Sequence, residues 1–169
     1  MNFHTLLALS MLPGYCVAYF YAPLPYVGFA YALMCTFSIV YHANANKNDE
    51  NTTIKSRRLD YIFQEVLIMS HLFLLNEPPI VKYIVFSAFL LCNCTDIQKY
   101  GYVIETIHIL TSLYVIRNFP TVIFIGFFAV SCFALSYVKE LELLHVVFHL
   151  FLHFGHAIFY NQVVKSLKT

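Results

Sequence analysis

Long apolar stretches, most of them close to the length of a membrane-crossing helix, are separated along the chain by short polar, proline or glycine segments. A membrane-spanning α-helix needs about 20 mainly apolar residues. The one long polar connection is NKNDENTTIKSRR, so no room remains for a separate soluble domain. The pattern predicts an all-α integral membrane bundle of seven transmembrane helices, with residues 1–169 forming a single transmembrane domain. The predicted helices cover residues 3–21, 25–45, 59–76, 79–95, 102–117, 119–138 and 141–164.

The composition agrees with a chain surrounded by a lipid bilayer. Hydrophobic residues make up 60% of the 169 positions and charged residues 11%, whereas soluble domains carry about 25% charged residues. The net charge of +1 provides no basic surface for nucleic acid, so no nucleic-acid partner is expected. The five cysteines lie in or beside apolar runs without disulfide-framework spacing, and we expect them to pack as small apolar residues.

Two signals for membrane orientation disagree. With seven spans, the N-terminus and the loops after the second, fourth and sixth helices share one side, which holds six basic residues against four on the other. This bias favours a cytoplasmic N-terminus. The glycosylation sequons at Asn51 and Asn93 lie on that same side and favour its placement in a lumen. The orientation in the membrane therefore stays open, as do the identity of the membrane and the organelle.

Polar residues cluster at the ends of three predicted helices. Ser38 and His42 are four residues apart at the end of the second, and His145 and His149 are four apart at the start of the seventh. Residues at this spacing share a helix face. Asp60 lies at the start of the third helix. Because successive spans alternate in direction, all three helix ends lie on one side of the membrane, where these side chains can converge.

Three imidazoles, a carboxylate and a hydroxyl suit a catalytic zinc site, which uses three protein ligands and keeps one position open. We predict His42, His145 and His149 as metal ligands and Asp60 and Ser38 as catalytic residues. Asp60 would take the proton of an attacking water or hold that water, and Ser38 would hydrogen-bond the water or the oxyanion. Taken singly, Ser38 has a plainer interpretation as a backbone-bonded serine, and Asp60 as a first-turn helix residue. The expected substrate is a membrane lipid with an amide or ester bond.

The chain resembles the CREST superfamily in three sequence segments, which occur in the order SIVYH, RRLDYIF and HVVFH across the seven predicted helices. Its members are seven-helix membrane proteins, many of them zinc-dependent hydrolases. They include alkaline ceramidases, adiponectin and progestin receptors, lipid-remodelling proteins of GPI anchors and myomaker-type proteins. The resemblance implies zinc ligation by His42, His145 and His149, with Asp60 and Ser38 serving the metal-bound water. RRLDYIF is similar to the receptor branch and SIVYHA to the remodelling branches, so the substrate and any receptor role stay open.

Further polar residues follow the same helix face. His153 and His156 lie about 12 and 16 Å along the axis from His145, too far for one shared ion. Interhelical hydrogen bonds, a polar channel lining or a second metal are the interpretations for this pair. Additional polar lining is expected from Glu65, Glu105 and His108.

Three other functions compete with lipid hydrolysis. The bundle can act as a non-catalytic receptor or membrane-remodelling protein with a structural zinc site. A di-iron oxidase or desaturase needs several clustered histidine boxes, whereas His4, His71 and His108 are isolated among the eight histidines. A haem protein with two axial histidines on facing helices is the third alternative.

Overall fold

The computed structural model describes residues 2–45, 49–138, 141 and 143–167, and this part of the chain contains helices and no strand. The prediction of an all-α fold is confirmed. Lys47, Lys139 and Lys168, three of the charges behind the orientation prediction, lie outside the described residues. The helices are α1 (Phe3–Ser10), α2 (Pro13–Phe20), α3 (Pro25–Asn44), α4 (Glu50–Leu74), α5 (Pro79–Cys94), α6 (Ile97–Val115), α7 (Pro120–Leu135) and α8 (Leu143–Ser166).

The first predicted helix is divided in two. Proline has no backbone N–H and its ring clashes with the preceding turn, so it favours the first position of a helix. Pro13 takes this position in α2, and the Leu12 amide bonds the Leu9 carbonyl in a tighter turn between α1 and α2. The prediction of one helix over residues 3–21 is therefore wrong in continuity, although α1 and α2 cover the same stretch.

The third predicted helix begins nine residues too late. α4 starts at Glu50, within the polar segment expected to form a loop. Asp49 lies in extended backbone before it, and its carboxylate accepts a hydrogen bond from the Thr52 amide, as a helix-capping aspartate does. Nearly three helical turns thus precede Asp60, which is not at the start of its helix as predicted, and they fix its direction.

Helix packing places α3, α4 and α8 around the functional region. α3 runs along α4, α1 and α2 pack on both α3 and α8, and α7 packs along α8. α6 lies against the other side of α4. The core includes the fully buried Tyr31, Leu72, Phe159 and Tyr160.

The cysteines follow the expectation only in part. All five are free thiols, and Cys35, Cys92 and Cys132 are buried. Cys16 and Cys94 are exposed, which contradicts the packing role expected for them. Each lies on an outward face of its helix. In a helix that is apolar on most sides, the sequence does not show which face is buried.

Among the residues that the structure describes, three segments are long and apolar enough to cross a membrane: Phe3–Phe20, Pro25–Asn44 and Leu143–Ser166. Pro79–Cys94 and Pro120–Leu135 are shorter apolar helices. Large apolar side chains also point outward, as at Phe124, which is 76% exposed. Helices that are apolar on their outer faces are typical of a protein surrounded by lipid. The seven-span arrangement stays a prediction.

The contact between α2 and α3 requires a glycine. A Cβ atom at Gly28 would lie 2.7 Å from the Ala18 carbonyl oxygen, which is backbone and cannot rotate away. We expect Gly28→Ala to destabilise the protein by about 1–3 kcal/mol. Gly155→Ala is the matched control, because its Cβ would make an ordinary 3.4 Å contact with Ile125. Thermal unfolding in detergent micelles measures both, and equal midpoints would contradict a close α2–α3 contact.

Candidate metal centre

Three imidazoles meet where the end of α3 faces the start of α8. His42 comes from the last turn of α3, and His145 and His149 come from the first two turns of α8. One nitrogen from each ring lies within 4.8 Å of the others. The ring centroids are 5.6 Å apart for His42 and His145, and 4.9 Å apart for His145 and His149. This group can hold a metal ion.

The hydrogen bonding of the three rings suits a metal. His42 is buried, and neither its ring nor that of His145 makes a hydrogen bond to any residue that the structure describes. Polar nitrogens that the protein leaves without a hydrogen bond need another partner, so the open rings of His42 and His145 point to a ligand. Imidazole nitrogens are common zinc ligands, and three of them leave the fourth tetrahedral position free.

The Asp60 carboxylate supplies a second unfilled acceptor near this group. Asp60 is 5% exposed, and its Oδ2 atom accepts a hydrogen bond of 3.1 Å from Gln64 Nε2. Its Oδ1 atom is buried and has no hydrogen-bond partner within the described parts of the chain. Ser38, one turn before His42 on α3, is buried beside the same carboxyl. Both residues line the cavity that the three histidines also line.

Helix α1 orients His149 through Ser10, a residue that the sequence did not single out. The Ser10 hydroxyl donates to the Leu7 carbonyl at 2.7 Å, so its oxygen accepts from His149 Nδ1 at 2.6 Å. That bond assigns the ring proton to Nδ1 and leaves the Nε2 lone pair for a ligand. A second hydrogen bond of this kind is the usual way in which proteins orient a metal-ligating histidine. Ser10 and His149 are 139 residues apart, and no local spacing in the sequence signals the contact.

His4 is a further residue that sequence reasoning missed. The isolated histidine on α1 lines the same cavity, within electrostatic range of His42 and His145. Its Nδ1 atom is buried without a hydrogen-bond partner among the described residues. The metal end of the cavity therefore presents a fourth imidazole beside the three that cluster.

The cavity has a volume of about 480 Å³, in the usual range of small-molecule sites. Of the further polar residues expected to line it, Glu105, His108 and His156 do so. Glu65 and His153 are absent from the lining as far as the structure describes the chain. Both are buried in hydrogen-bonded contacts between helices instead.

Glu65 and Glu105 belong to two separate polar networks. Glu65 Oε1 lies 3.1 Å from His108 Nε2, and Glu65 Oε2 accepts a hydrogen bond from Asn93 at 2.6 Å. Glu105 accepts hydrogen bonds from Arg57, at 2.8 Å, and from two tyrosines, so its charge is balanced within the protein. Glu105 and His108 share a helix face but take different partners. The tyrosines are Tyr61 and Tyr137.

His153 and His156 differ from each other in their surroundings. His153 Nε2 donates to the Ser10 carbonyl at 3.1 Å, and its Nδ1 accepts from the Tyr31 hydroxyl at 2.8 Å. Both of its nitrogens are thus satisfied by protein. His156 lies against His71 of α4, with ring centroids 5.5 Å apart. The hydrogen-bonding interpretation holds for His153, whereas His156 faces the cavity.

No protein-family model, curated protein or solved structure matches this chain. The fold and the site define an all-helical protein, with three helical segments apolar enough for a membrane, that carries a three-histidine group able to hold a metal.

Removal of the Ser10 hydroxyl should weaken metal binding without removing a ligand. We expect Ser10→Ala to lower zinc affinity about 10–100-fold, because His149 loses the bond that orients its ring. Ser10→Thr keeps a hydroxyl and should restore the affinity. Competition with a chromogenic chelator on purified protein measures the change.

Ser131→Ala is the matched control for this experiment. Ser131 is exposed on α7, and its hydroxyl bonds the Phe127 carbonyl of its own helix. Its removal should leave zinc affinity unchanged. Equal affinities for Ser10→Ala and the unaltered protein would show that Ser10 does not orient His149.

Proposed function

We propose that this protein is an integral membrane, zinc-dependent hydrolase that cleaves an amide or ester bond of a lipid. Membership of the CREST superfamily, inferred from SIVYH, RRLDYIF and HVVFH, is part of the proposal. The observation that carries it is the three-histidine group with the unpartnered Asp60 Oδ1 atom on the same cavity. A carboxylate oxygen that the described residues leave without a hydrogen bond, beside three imidazoles that can hold a metal, is more than a structural metal needs.

His42, His145 and His149 would hold the zinc ion. A zinc ion held there would act as a Lewis acid towards a carbonyl and an attacking water. Ser10 keeps the Nε2 atom of His149 available, and the short i, i+4 spacing brings His145 to the same side. The three rings come from two helices, so the site is assembled only when α3 and α8 pack in the bundle.

Asp60 and Ser38 would carry the proton and the developing charge. The Asp60 Oδ1 atom accepts the proton of the attacking water, because Gln64 bonds the other oxygen, Oδ2. Gln64 and the nearly three helical turns before Asp60 hold the carboxylate in place. The Ser38 hydroxyl donates a hydrogen bond to the oxyanion that forms as the carbonyl is attacked. Asp60 then returns the proton to the leaving amine or alcohol.

The lining of the cavity favours a lipid over a water-soluble substrate. Beyond the histidines its lining is mainly apolar, with Leu67, Ile68, Leu152 and Phe159 among the residues that form it. Such a lining accepts an acyl chain from the bilayer without exposing it to water. With the candidate membrane-spanning segments inserted in a bilayer, this lining would lie at bilayer depth, where lipid substrates are abundant.

Metal content tests the first half of the proposal. We expect purified protein to contain about one zinc ion for each chain, and His149→Ala to lose it, because a site with two remaining imidazoles binds poorly. His156→Ala is the matched control, since it removes an imidazole two turns further along the same helix. Elemental analysis measures zinc and iron together. Protein without zinc, or full zinc retention by His149→Ala, would overturn the proposal, and an iron content would favour the redox alternatives.

Lipid turnover tests the second half. Asp60→Asn should keep the zinc ion but reduce hydrolysis about 10²–10⁴-fold, because the amide cannot take the proton of the water. Asp96→Asn is the matched control, because Asp96 caps α6 at the surface and asparagine also caps helices. A panel of ceramides, glycerolipids and lysolipids in detergent, analysed by mass spectrometry, measures turnover. Zinc-loaded protein that hydrolyses none of them would favour the non-catalytic receptor or remodelling function.

A further inference from the structure

A second pair of histidines faces the cavity at its deeper end. His71 of α4 and His156 of α8 both line it, and their ring centroids are 5.5 Å apart. Neither belongs to the three-histidine group. In the sequence His71 is an isolated histidine with no partner at helical spacing.

In each of these rings, one nitrogen is hydrogen-bonded to another group of the protein. His156 Nδ1 donates to the Leu152 carbonyl of its own helix at 2.8 Å. His71 Nε2 lies 2.8 Å from the Tyr160 hydroxyl. No hydrogen bond to the described residues reaches His156 Nε2 or His71 Nδ1. Unlike the Nδ1 atom of His4, these two nitrogens are not sealed by protein, so they open onto the cavity.

The two open nitrogens have complementary roles. Because His156 Nδ1 carries the proton that it donates, its Nε2 atom is an acceptor in the neutral ring. Tyr160 is fully buried, and His71 Nε2 is the one acceptor that the described residues offer its hydroxyl proton. That bond assigns the ring proton of His71 to Nδ1. The pair therefore presents one donor and one acceptor.

A hydroxyl group both donates and accepts, so it fits this pair better than a cation or a carboxylate does. A second metal ion would need a further ligand, and the only close group of three ligands among the described residues is the one at the metal centre. A hydrocarbon chain alone would cover both nitrogens and leave them unpaired, which is unfavourable.

The spacing along α8 gives the position of such a hydroxyl. His156 follows His149 by seven residues, which is about 10 Å at the rise of an α-helix. Leu152, Gly155 and Ile68 line the cavity and contribute only apolar surface to it. A chain whose carbonyl lies at the metal centre would thus carry its hydroxyl near the middle of the chain.

We propose that His71 and His156 form a subsite that binds a hydroxyl group in the middle of the acyl chain of the substrate. The substrate class is a lipid with a hydroxylated acyl chain, cleaved at the metal centre about 10 Å away. This inference rests on the proposed function for the position of the carbonyl, but the subsite itself binds without hydrolysis. Binding and turnover therefore test the two proposals separately.

Free fatty acids probe the subsite directly. The probes are palmitic acid and its hydroxylated forms with the hydroxyl beside the carboxyl, at mid-chain or at the terminal methyl. Their displacement of a fluorescent fatty acid from the full-length, zinc-loaded protein in nanodiscs measures affinity. We expect the mid-chain form to bind about tenfold more tightly than palmitic acid, from two neutral hydrogen bonds. The other two positional forms should show no such gain.

Substitution of the pair should remove the preference and keep the binding. In the double variant His71→Phe and His156→Phe, palmitic acid should bind at least as well as before, whereas the mid-chain gain disappears. An unchanged zinc content shows that the variant is folded. Tyr160→Phe is a milder second variant, which frees the tautomer of His71 and should reduce the gain without abolishing it.

Two results would overturn the subsite. One is equal binding of all four fatty acids to the unaltered protein, and the other is a mid-chain preference that survives in the double variant. A mid-chain preference in a protein that hydrolyses no lipid would support the subsite and count against the hydrolase. Hydrolysis without the preference would have the opposite meaning.

Discussion

The structure depends on one constraint, which is that a polar atom buried in an apolar helical bundle needs a partner. Where water is excluded, an unpaired nitrogen or oxygen costs several kcal/mol, so protein or ligand must supply the hydrogen bond. His153 and His108 meet this requirement within the protein, through Tyr31, Ser10, Gln64 and Glu65. Asp60 Oδ1, His4 Nδ1 and Gln162 Oε1 are buried without a hydrogen-bond partner in the described part of the chain, and Asp60 and His4 line the cavity of the three histidines. The contrast between filled and unfilled partners marks where a ligand belongs.

Helix direction explains why the unfilled groups collect at one end. His42 lies in the last turn of α3, and His145 and His149 lie in the first two turns of α8. Asp60 follows nearly three turns of α4 and lines the same cavity as these histidines. α1 packs against α8 from the other side and supplies Ser10 to the back of His149. The site thus combines three helices that provide chemistry with one that orients it. Two turns further along these helices, the side chains that line the cavity are apolar, except for His71 and His156.

The sequence alone predicted some residues of the site and missed others. The i, i+4 pairs Ser38–His42 and His145–His149 are local, and alternation of helix direction is enough to bring them together with Asp60. Ser10 and His4 were not predicted, because contacts between α1 and the start of α8 join residues that are far apart in the sequence and leave no periodic signal. The start of α4 was placed too late because a polar run that begins with an aspartate cap resembles a loop in composition. The tautomers of His149 and His156 follow from hydrogen bonds that only coordinates reveal.

The order of groups along the cavity decides how a lipid would lie in it. Arg57, one turn before Asp60 on α4, bonds Glu105 at 2.8 Å, so the polar end of the cavity carries balanced charges. A head group with no net charge meets no uncompensated charge there, whereas an anionic one must compete with Glu105 for Arg57. On the proposed function, the carbonyl would lie at the histidines, and the chain would extend past Leu152 towards His71 and His156. The reverse orientation would place the polar head against apolar side chains and leave the Arg57 end to hydrocarbon, so the desolvation cost of polar groups excludes it.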